Sequence, residues 1–292
     1  MDFQLDDDQV ALKAGVRELL AARFGRDSLR AAVREEPVLD RALWRELGEK
    51  GFFALRLPEA DGGAGLGLPE AVLVFEEAGR VLLPGPLVAT HLAAGTVEGA
   101  ATGETVVTAV DGELVEWLVQ ADTVRGDAAG AEPLKPVDPL TPLHRVPVPQ
   151  EPDPADALLT SLLTAAEQLG GAARVCELAV QHARTREQFG QPIGAFQAVK
   201  HLCAGMLVRV EVARAAVYAA AVTGGPQDVA AARLLADDAA VRGARDCLQV
   251  HGGMGFTWES DVHLHLKRAW TRARRTGGAT RSEELLADDL VA

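Results

Sequence analysis

The sequence is poor in aromatic residues, which make up 4% of its 292 residues and include a single tyrosine. Hydrophobic residues still reach 48%, so alanine, leucine and valine carry most of the apolar content. These residues lose little conformational entropy in a helix, apart from valine, so the composition favours a mostly α-helical fold. At this length, one or two domains can each bury a hydrophobic core.

Cysteine is also scarce. The three cysteines, Cys176, Cys203 and Cys247, lie far apart in helix-like stretches and lack the spacing of metal ligands. This pattern excludes a disulfide-rich secreted domain and predicts no metal site. The cysteines are expected to be free, buried thiols in a reducing compartment.

Long apolar runs and a targeting signal are both missing. No stretch reaches the roughly 20 apolar residues that a membrane-spanning helix needs. The first ten residues, MDFQLDDDQV, contain neither a basic nor an apolar segment, so no secretory signal is predicted. We therefore expect a cytoplasmic protein without a membrane partner.

Positive charge is in deficit, with a formal net charge of −13. A nucleic-acid-binding protein needs a basic face, so the charge balance argues against a nucleic-acid partner. One basic run stands out, formed by Lys267, Arg268, Arg272, Arg274, Arg275 and Arg281. Two interpretations stay open: a solvated helix end, where cations complement the helix dipole, or a contact with the phosphates of a nucleotide or with an acidic partner.

The chain divides into three regions by pattern. Residues 1–103 predict an N-terminal helical domain, and residues 156–292 predict a C-terminal antiparallel four-helix bundle. Between them, residues 104–155 contain short β-prone pieces and many prolines, which indicate either a small, truncated β unit or an irregular linker.

Caps and helix breakers suggest where the helices lie. An apolar stripe from Val10 to Leu20 follows three candidate capping residues at positions 6–8, and Pro69 opens another helix after a glycine-rich loop. Further helices are predicted at about residues 39–50, 157–184, 196–222 and 226–250, and from near Asp261 to just before Gly277.

Two segments of the predicted bundle are distinctive. Residues 186–197 read REQFGQPIGAFQ, and residues 249–259 read QVHGGMGFTWE, with two long predicted helices between them. Taken singly, the first is commonly a helix end and the second a turn, and a histidine such as His251 is commonly structural. Their order and separation give the pair its meaning.

Together, the two segments resemble the FAD signatures of the acyl-CoA dehydrogenase family. The N-terminal region resembles the same family through Leu43-Trp44, Gly51, Pro58-Glu59, Gly62-Gly63, residues 65–67 and residues 76–80. The resemblance covers nearly the whole chain except residues 104–155. It implies the acyl-CoA dehydrogenase fold, an FAD cofactor and an oxidoreductase that acts on the CH–CH bond of an acyl-CoA.

The resemblance also implies which residues bind the cofactor. In family enzymes, these segments reach across a subunit interface and hold the adenine and pyrophosphate end of a neighbour's FAD. The corresponding residues here are Arg186, Gln188, Phe189, Gln249, Gly252 and Gly253. An arginine fork suits phosphate oxygens, and glycines let backbone amides approach a ligand. An oligomer follows from this arrangement.

The residue that usually acts as the catalytic base is missing. Family members carry a glutamate in a Tyr-Glu-Gly-Thr context after the fourth bundle helix, where it removes the α proton. This chain has Thr276 there, in the segment RTGG. A second family position, near the start of the first bundle helix, holds Leu159 and Thr160. No catalytic residue is therefore predicted.

Other acids of the bundle have no motif support. Glu167 is expected to be a polar residue on a helix, and Glu259 and Asp261 are expected to start and cap one. Glu283 and Glu284 lie beyond the loop. The two strand motifs of the family's flavin-binding β domain are also absent from residues 104–155, where residues 113–119 and 137–148 are candidate remnants.

These features indicate a split enzyme. A homologous full-length subunit would supply the flavin-ring domain, the acyl pocket and the base, in an α2β2 heterotetramer with one FAD per heterodimer. Residues 79–86 resemble actinobacterial members that act on bulky, steroid-derived acyl-CoA, and the family suggests electron-transfer flavoprotein as acceptor. Two alternatives remain: a homomeric dehydrogenase with a relocated base such as Glu167, or a catalytically dead scaffold subunit.

Overall fold

The N-terminal part of the protein is helical, as the computed structural model shows; it describes residues 4–34 and 38–291. Its helices are α1 (Asp7–Arg23), α2 (Arg26–Arg34), α3 (Arg41–Glu49), α4 (Leu68–Arg80) and α5 (Leu87–Ala93). The sequence predicted α1, α3 and α4 but not α2 or α5. The mostly α-helical fold class is confirmed.

Local capping explains where several helices begin. Asp6 is the N-cap of α1 and forms a capping box with Gln9, one of the arrangements that the acidic cluster suggested. Asp40 caps α3 by accepting hydrogen bonds from backbone N–H groups of its first turn. Pro69 lies in the first turn of α4, where its fixed φ angle costs nothing.

The middle region forms a four-stranded sheet rather than an irregular linker. Its strands are β1 (Val107–Glu116), β2 (Thr123–Arg125), β3 (Glu132–Leu134) and β4 (Leu143–Gln150), in the order β2-β1-β4-β3. β1 pairs in parallel with β2 and antiparallel with β4. Pro147 and Pro149 lie in β4 outside residues 143–145, which pair with β3, so their missing N–H groups cost that ladder nothing.

The C-terminal part contains three long helices and two shorter ones. These are α6 (Pro154–Thr185), α7 (Gln197–Thr223), α8 (Pro226–His251), α9 (Val262–Arg272) and α10 (Gly278–Val291). A hairpin of β5 (Glu187–Gln188) and β6 (Gln191–Pro192) joins α6 to α7. The first three helices match their predicted bounds to within a few residues.

The end of α9 and the presence of α10 depart from the prediction. α9 ends at Arg272, several residues early, and Thr276 in the loop after it has a φ angle of +51° that a right-handed helix cannot contain. α10 was not predicted, since its sequence opens with glycine and no capping residue precedes it. The predicted domain boundaries at residues 103/104 and 155/156 stay a prediction.

Two glycines let α4 and α6 cross at very short range. A Cβ atom on Gly79 would lie 2.0 Å from the carbonyl oxygen of Glu167, and one on Gly170 would lie 1.8 Å from that of Glu76. Only glycine fits at either position, because any side chain would overlap the other helix's backbone. This crossing fixes the N-terminal helices on the bundle.

Buried ion pairs hold the β unit on the bundle, and they correct one interpretation of the basic run. Arg268 is buried and pairs with Asp138 at 2.5 Å. Arg272 is 1% exposed and pairs with Glu116 of β1 and Glu167 of α6, each at 2.8 Å. Arg268 and Arg272 are therefore not part of a solvated helix end, whereas Arg274 and Arg281 of the same run are exposed. The sequence alone did not reveal this because the acids come from distant elements.

The cysteines and the apolar content of the helices bear on the predicted thiols and on the predicted lack of a membrane span. All three cysteines are free; Cys176 and Cys247 are buried and Cys203 is half-buried. Across the described residues, no helix is both long enough and apolar enough to cross a bilayer.

Candidate functional site

The first motif forms a tight hairpin at the C-terminal end of α6. Arg186 ends the helix in an extended conformation. Phe189 and Gly190 form the two-residue turn between β5 and β6, both with positive φ, at +54° and +77°. This geometry matches the twist of a hairpin but strains a residue other than glycine. Phe189 is 91% exposed, and its ring meets that of Phe196 edge-on with 6.0 Å between the ring centroids.

The second motif forms the end of α8 and the turn after it. Gly252 terminates the helix with a φ of +61°, which explains a glycine there. Gly253 has no such requirement, and a Cβ atom at either glycine would meet nothing within 4 Å. Gln249 lies one turn earlier with an exposed side chain. The backbone of this turn is thus open to an approaching group.

A stacked pair of histidines brings the two motifs together. The rings of His182 on α6 and His251 on α8 lie 4.1 Å apart with an interplanar angle of 18°. His251 is anchored by a 2.8 Å contact between its Nδ1 and the carbonyl oxygen of Cys247. Burial lowers the pKa of His182, as do the neighbouring His251 and Arg186, so the neutral form of the His182 imidazole is favoured.

The two motifs therefore form one surface, which we call the clamp: Arg186, Gln188, Phe189, Gln249, Gly252 and Gly253. All six residues are exposed. Arg186 makes no ion pair within the described part of the chain, and Gln188 donates one hydrogen bond to the carbonyl oxygen of Glu187 at 2.8 Å. A free guanidinium, exposed amides and an open glycine turn can receive an anionic nucleotide from outside the chain.

The two positions that the sequence predicts to correspond to family bases lie at or beside one cleft. Thr276 and Thr160 line the same cavity of about 250 Å³, bounded by β1, β2, α6 and the loop after α9. We call this cavity the threonine cleft. Leu159 is not part of its lining.

The loop that contains Thr276 is held in place from two sides. Its backbone N–H donates to both carboxylate oxygens of Asp111 on β1, at 2.9 and 3.0 Å. Its hydroxyl accepts from Nη1 of Arg233 at 3.2 Å. Arg233 is itself buried and paired with Asp237 at 2.9 Å. Sequence reasoning missed Asp111 and Arg233, because neither belongs to a motif. The signal for Arg233 was its place as a charged residue within the apolar run of residues 229–236.

None of the other acids named from the sequence faces the threonine cleft. Glu167 is buried in its ion pair with Arg272. Glu259 is exposed, and Glu283 and Glu284 are exposed on α10. Asp261 does occupy the N-cap position of α9, as predicted, but its carboxylate makes no capping bond and pairs instead with Arg26 and Arg30 of α2.

The chain matches two family models. Residues 6–105 match "Acyl-CoA dehydrogenase, N-terminal domain", and residues 159–282 match "Acyl-CoA dehydrogenase, C-terminal domain". The chain belongs to the acyl-CoA dehydrogenase family. Acyl-CoA dehydrogenases are oxidoreductases, and the segment between the two matches contains the small sheet described above.

Similar acyl-CoA dehydrogenases come from mycobacteria. "Acyl-CoA dehydrogenase IpdE2" of Mycobacterium tuberculosis is 37% identical over 289 residues, which cover 90% of this chain and 91% of the relative. The protein of the same name in Mycolicibacterium smegmatis is 34% identical and covers 94% and 96%. "Acyl-CoA dehydrogenase FadE34" is 34% identical over 94% of this chain and 47% of its own length.

Two solved structures have the same fold over their full length. A variant of the Tcur3481–Tcur3483 steroid ACAD has a TM-score of 0.86 at 25% identity and covers 98% of each chain. The ChsE4–ChsE5 complex from Mycobacterium tuberculosis has a TM-score of 0.84 at 25% identity and covers 100% of this chain and 99% of the other. Both structures are named for two different proteins.

Proposed function

We propose that this chain is the non-base-bearing subunit of a heteromeric, FAD-dependent acyl-CoA dehydrogenase that desaturates a bulky acyl-CoA. The threonine cleft carries this proposal, because Thr160 and Thr276 stand there at the two family positions for a base. A threonine hydroxyl does not accept a carbon-bound proton near neutral pH. The base that removes the α proton would come from another chain.

Two acids of the chain, Asp111 and Glu167, are also poorly placed to replace a base. Both oxygens of Asp111 accept the backbone N–H of Thr276, so this carboxylate has a structural contact to break before it could act. Glu167 pairs with Arg272 inside the protein. A homomeric dehydrogenase with Glu167 as a relocated base is therefore the less favoured alternative.

The clamp fits the anionic end of FAD. Arg186 would bind phosphate oxygens with its planar fork, and the open turn at Gly252 and Gly253 would let backbone amides approach the pyrophosphate. Gln188 and Gln249 would contact ribose and adenine, and the exposed Phe189 ring would pack beside the adenine. When bound, FAD supplies the hydride acceptor for the reaction; the role of this chain is to hold the far end of it.

The partner would be a homologous, full-length subunit in an α2β2 heterotetramer. The clamp is exposed and lacks the neighbouring strand motifs of a complete flavin site, so it would act on FAD that the partner holds. Large exposed side chains beside it, Met254, Phe256 and Trp258, are of the kind that interfaces bury. The two-protein names of the similar steroid-related structures agree with this assembly.

The proposal extends to the substrate, the electron acceptor and the cellular compartment. The name of the steroid ACAD supports a steroid-derived acyl-CoA. Electron-transfer flavoprotein is proposed as acceptor by family analogy alone. Three free cysteines are consistent with a cytoplasmic location.

The first experiment compares the chain alone with the chain co-expressed with a homologous dehydrogenase from the same operon or locus. We expect the chain alone to be colourless and the heterotetramer to be yellow. The complex should contain about one FAD per heterodimer, because its two heterodimers are related by symmetry. Visible absorbance and light-scattering mass give both quantities. A yellow, active chain on its own would contradict the split site, and Glu167→Gln would then test the relocated base.

The clamp is tested by Arg186→Ala in the co-expressed complex. Because an uncompensated pyrophosphate charge at an interface costs several kcal/mol, we expect most of the FAD to be lost while the heterotetramer still forms. Arg184→Ala, an exposed arginine two residues earlier on the same helix, is the matched control. Unchanged FAD content in Arg186→Ala would favour the scaffold alternative.

A further inference from the structure

A second cleft, larger than the threonine cleft, lies between the sheet and the end of α9. Its volume is about 480 Å³. We call it the sheet–helix cleft. Three half-buried leucines form the sheet wall: Leu114 on β1, Leu134 on β3 and Leu143 on β4. Trp270 and Ala273 form the helix wall.

The apolar character of this cleft follows from strand register. Leu134 is the cross-strand partner of Leu143, so their side chains stand on the same face of the sheet. That face is not covered by the helix, and Val137 and Trp270 at its margin are 57% and 40% exposed. Five large apolar side chains thus surround a space that the chain itself leaves unfilled. A ligand with a bulky apolar body would remove this surface from water.

Some of the charged side chains around the cleft form ion pairs, and others do not. Arg275 is engaged with Glu116 at 3.2 Å and with Asp111 at 3.8 Å. Lys135 on the sheet side and Arg274 on the helix side are exposed, and neither has an ion-pair partner within the described residues. The two acids that line the cleft are therefore neutralised, and two cations on opposite walls are not.

From these walls we infer that the sheet–helix cleft binds a bulky hydrophobic carboxylate, with its apolar body against the leucines and Trp270. The carboxylate would lie between Lys135 and Arg274, whose positive charges have no other counterpart. This ligand site does not depend on the proposed role of the clamp or on FAD.

The site is distinct from the threonine cleft, although the two are neighbours. Ala109, Asp111 and Arg275 line both. The contact of Asp111 with the Thr276 backbone and its ion pair with Arg275 lie at this shared boundary. A ligand in the sheet–helix cleft would touch β1 and α9 together. Its binding would therefore stabilise the docking of the β unit on the bundle.

The test uses the full chain and cholate, a rigid apolar carboxylate, at concentrations below its aggregation point. We expect saturable binding by calorimetry and a change in tryptophan fluorescence that Trp270→Phe abolishes. Trp270 is in the wall, whereas Trp44 and Trp117 are buried and the exposed Trp258 is not part of the cleft lining. Lys135→Glu and Arg274→Glu should each weaken binding about five-fold, the effect of reversing one exposed charge beside an anion.

Two further variants separate a ligand effect from a folding effect. Val137→Asp places a carboxylate at an exposed position of the wall, so it should weaken cholate binding without unfolding the sheet. Lys50→Glu reverses an exposed cation outside the cleft and should leave binding unchanged.

Three results would each overturn the inference. The first is the absence of saturable cholate binding. The second is equal binding of the uncharged amphiphile octyl glucoside, with no effect of either charge reversal. The third is competitive displacement of cholate by riboflavin, which would assign the cleft to a flat aromatic ring instead.

Discussion

At the residue scale, hydrogen bonds from two other elements fix the position of Thr276. Its φ of +51° is unfavourable for a residue with a branched side chain, and it persists because Asp111 and Arg233 hold the loop. The site is built around threonine.

The variant Thr276→Glu tests the proposal that the isolated chain has neither a base nor a flavin ring beside position 276. We expect no dehydrogenation by the isolated variant with added FAD, because the new carboxylate would meet the cation of Arg233 and no flavin ring beside it. Acyl-CoA oxidation coupled to a dye gives the readout. Activity in the isolated variant would refute the split site, and Thr271→Glu on α9 is a control for a nonspecific carboxylate.

The residue scale is also where sequence reasoning was least complete. The motif residues could be predicted because two short segments occur together in a family-specific order, and their role stays a prediction. Asp111, Arg233 and His182 were missed, since each acts through a partner on another element, more than 40 residues away in the chain. Pattern reasoning has no means of pairing such residues before the fold is known.

At the element scale, the ends of α6 and α8 act as one unit through the His182–His251 stack. We expect His182→Ala to weaken FAD retention by the complex about three- to ten-fold at pH 8, the value of one aromatic contact. His182→Phe should retain FAD, because a phenyl ring can replace the stacked neutral imidazole. Equilibrium dialysis of the complex measures both.

The outcome for the alanine variant separates two roles. If His182→Ala and His182→Phe both keep full FAD retention, the stack does not position the clamp. If both lose it equally, the imidazole itself matters rather than the ring contact.

Elements were predicted well where the pattern was long. α6, α7 and α8 carry apolar residues over many turns, and proline or glycine marks their ends. α2 was missed because four of its nine residues are charged and only Leu29 is fully buried. The β unit was left open because its strands are short and proline-rich, so its pairing partners, not its local sequence, stabilise it.

At the scale of the whole molecule, two buried histidines predict sensitivity to acid. Burial, followed by Arg56, lowers the pKa of His91 to about 4. Burial, followed by Arg174, Arg268 and Arg80, lowers that of His265 to about 3. Both values lie below the ordinary 6.5, so each histidine folds in its neutral form.

The sign of the effect follows from these directions. The stability contribution is fully present above pH 6.5 and is lost as the pH falls towards 4, because the unfolded chain binds the protons first. Each histidine should cost about 2 kcal/mol at pH 5, from 1.36 kcal/mol per pH unit. Urea denaturation at pH 7.5, 6 and 5 measures the loss, and His265→Gln should reduce it.

The buried carboxylate of Glu116 does not account for the loss of stability between pH 6.5 and 4. Burial tends to raise the pKa of Glu116, but Arg272 and Arg275 hold it below its ordinary value, so it titrates at lower pH. His201→Gln, at an exposed position, is the control and should leave the pH dependence unchanged. An identical slope in His265→Gln and wild type would contradict the assignment.

The outer face of α7 is the other whole-molecule feature with a testable consequence. Leu207, Val208 and Val212 are 53%, 62% and 47% exposed on consecutive turns. A monomeric protein seldom exposes a cluster of large apolar side chains to water. We expect Leu207→Glu to prevent association with the partner subunit while the isolated variant keeps its thermal stability. Light-scattering mass and melting temperature measure the two effects.

A matched change elsewhere controls for added charge. Val119, 81% exposed on the turn after β1, can be replaced by glutamate in the same way. We expect Val119→Glu to assemble normally. If both variants assemble, α7 does not contribute to the subunit contact.

The hairpin at Phe189 and Gly190 has a consequence for the order of events during assembly. Its turn geometry, the stacked histidines behind it and the helix end at Arg186 are all set within this one polypeptide. The surface that we propose to hold the nucleotide therefore forms without the proposed partner, and docking would not have to wait for a segment to fold. Association would then proceed at the rate of oriented collision, and its speed would depend on salt rather than on chain rearrangement.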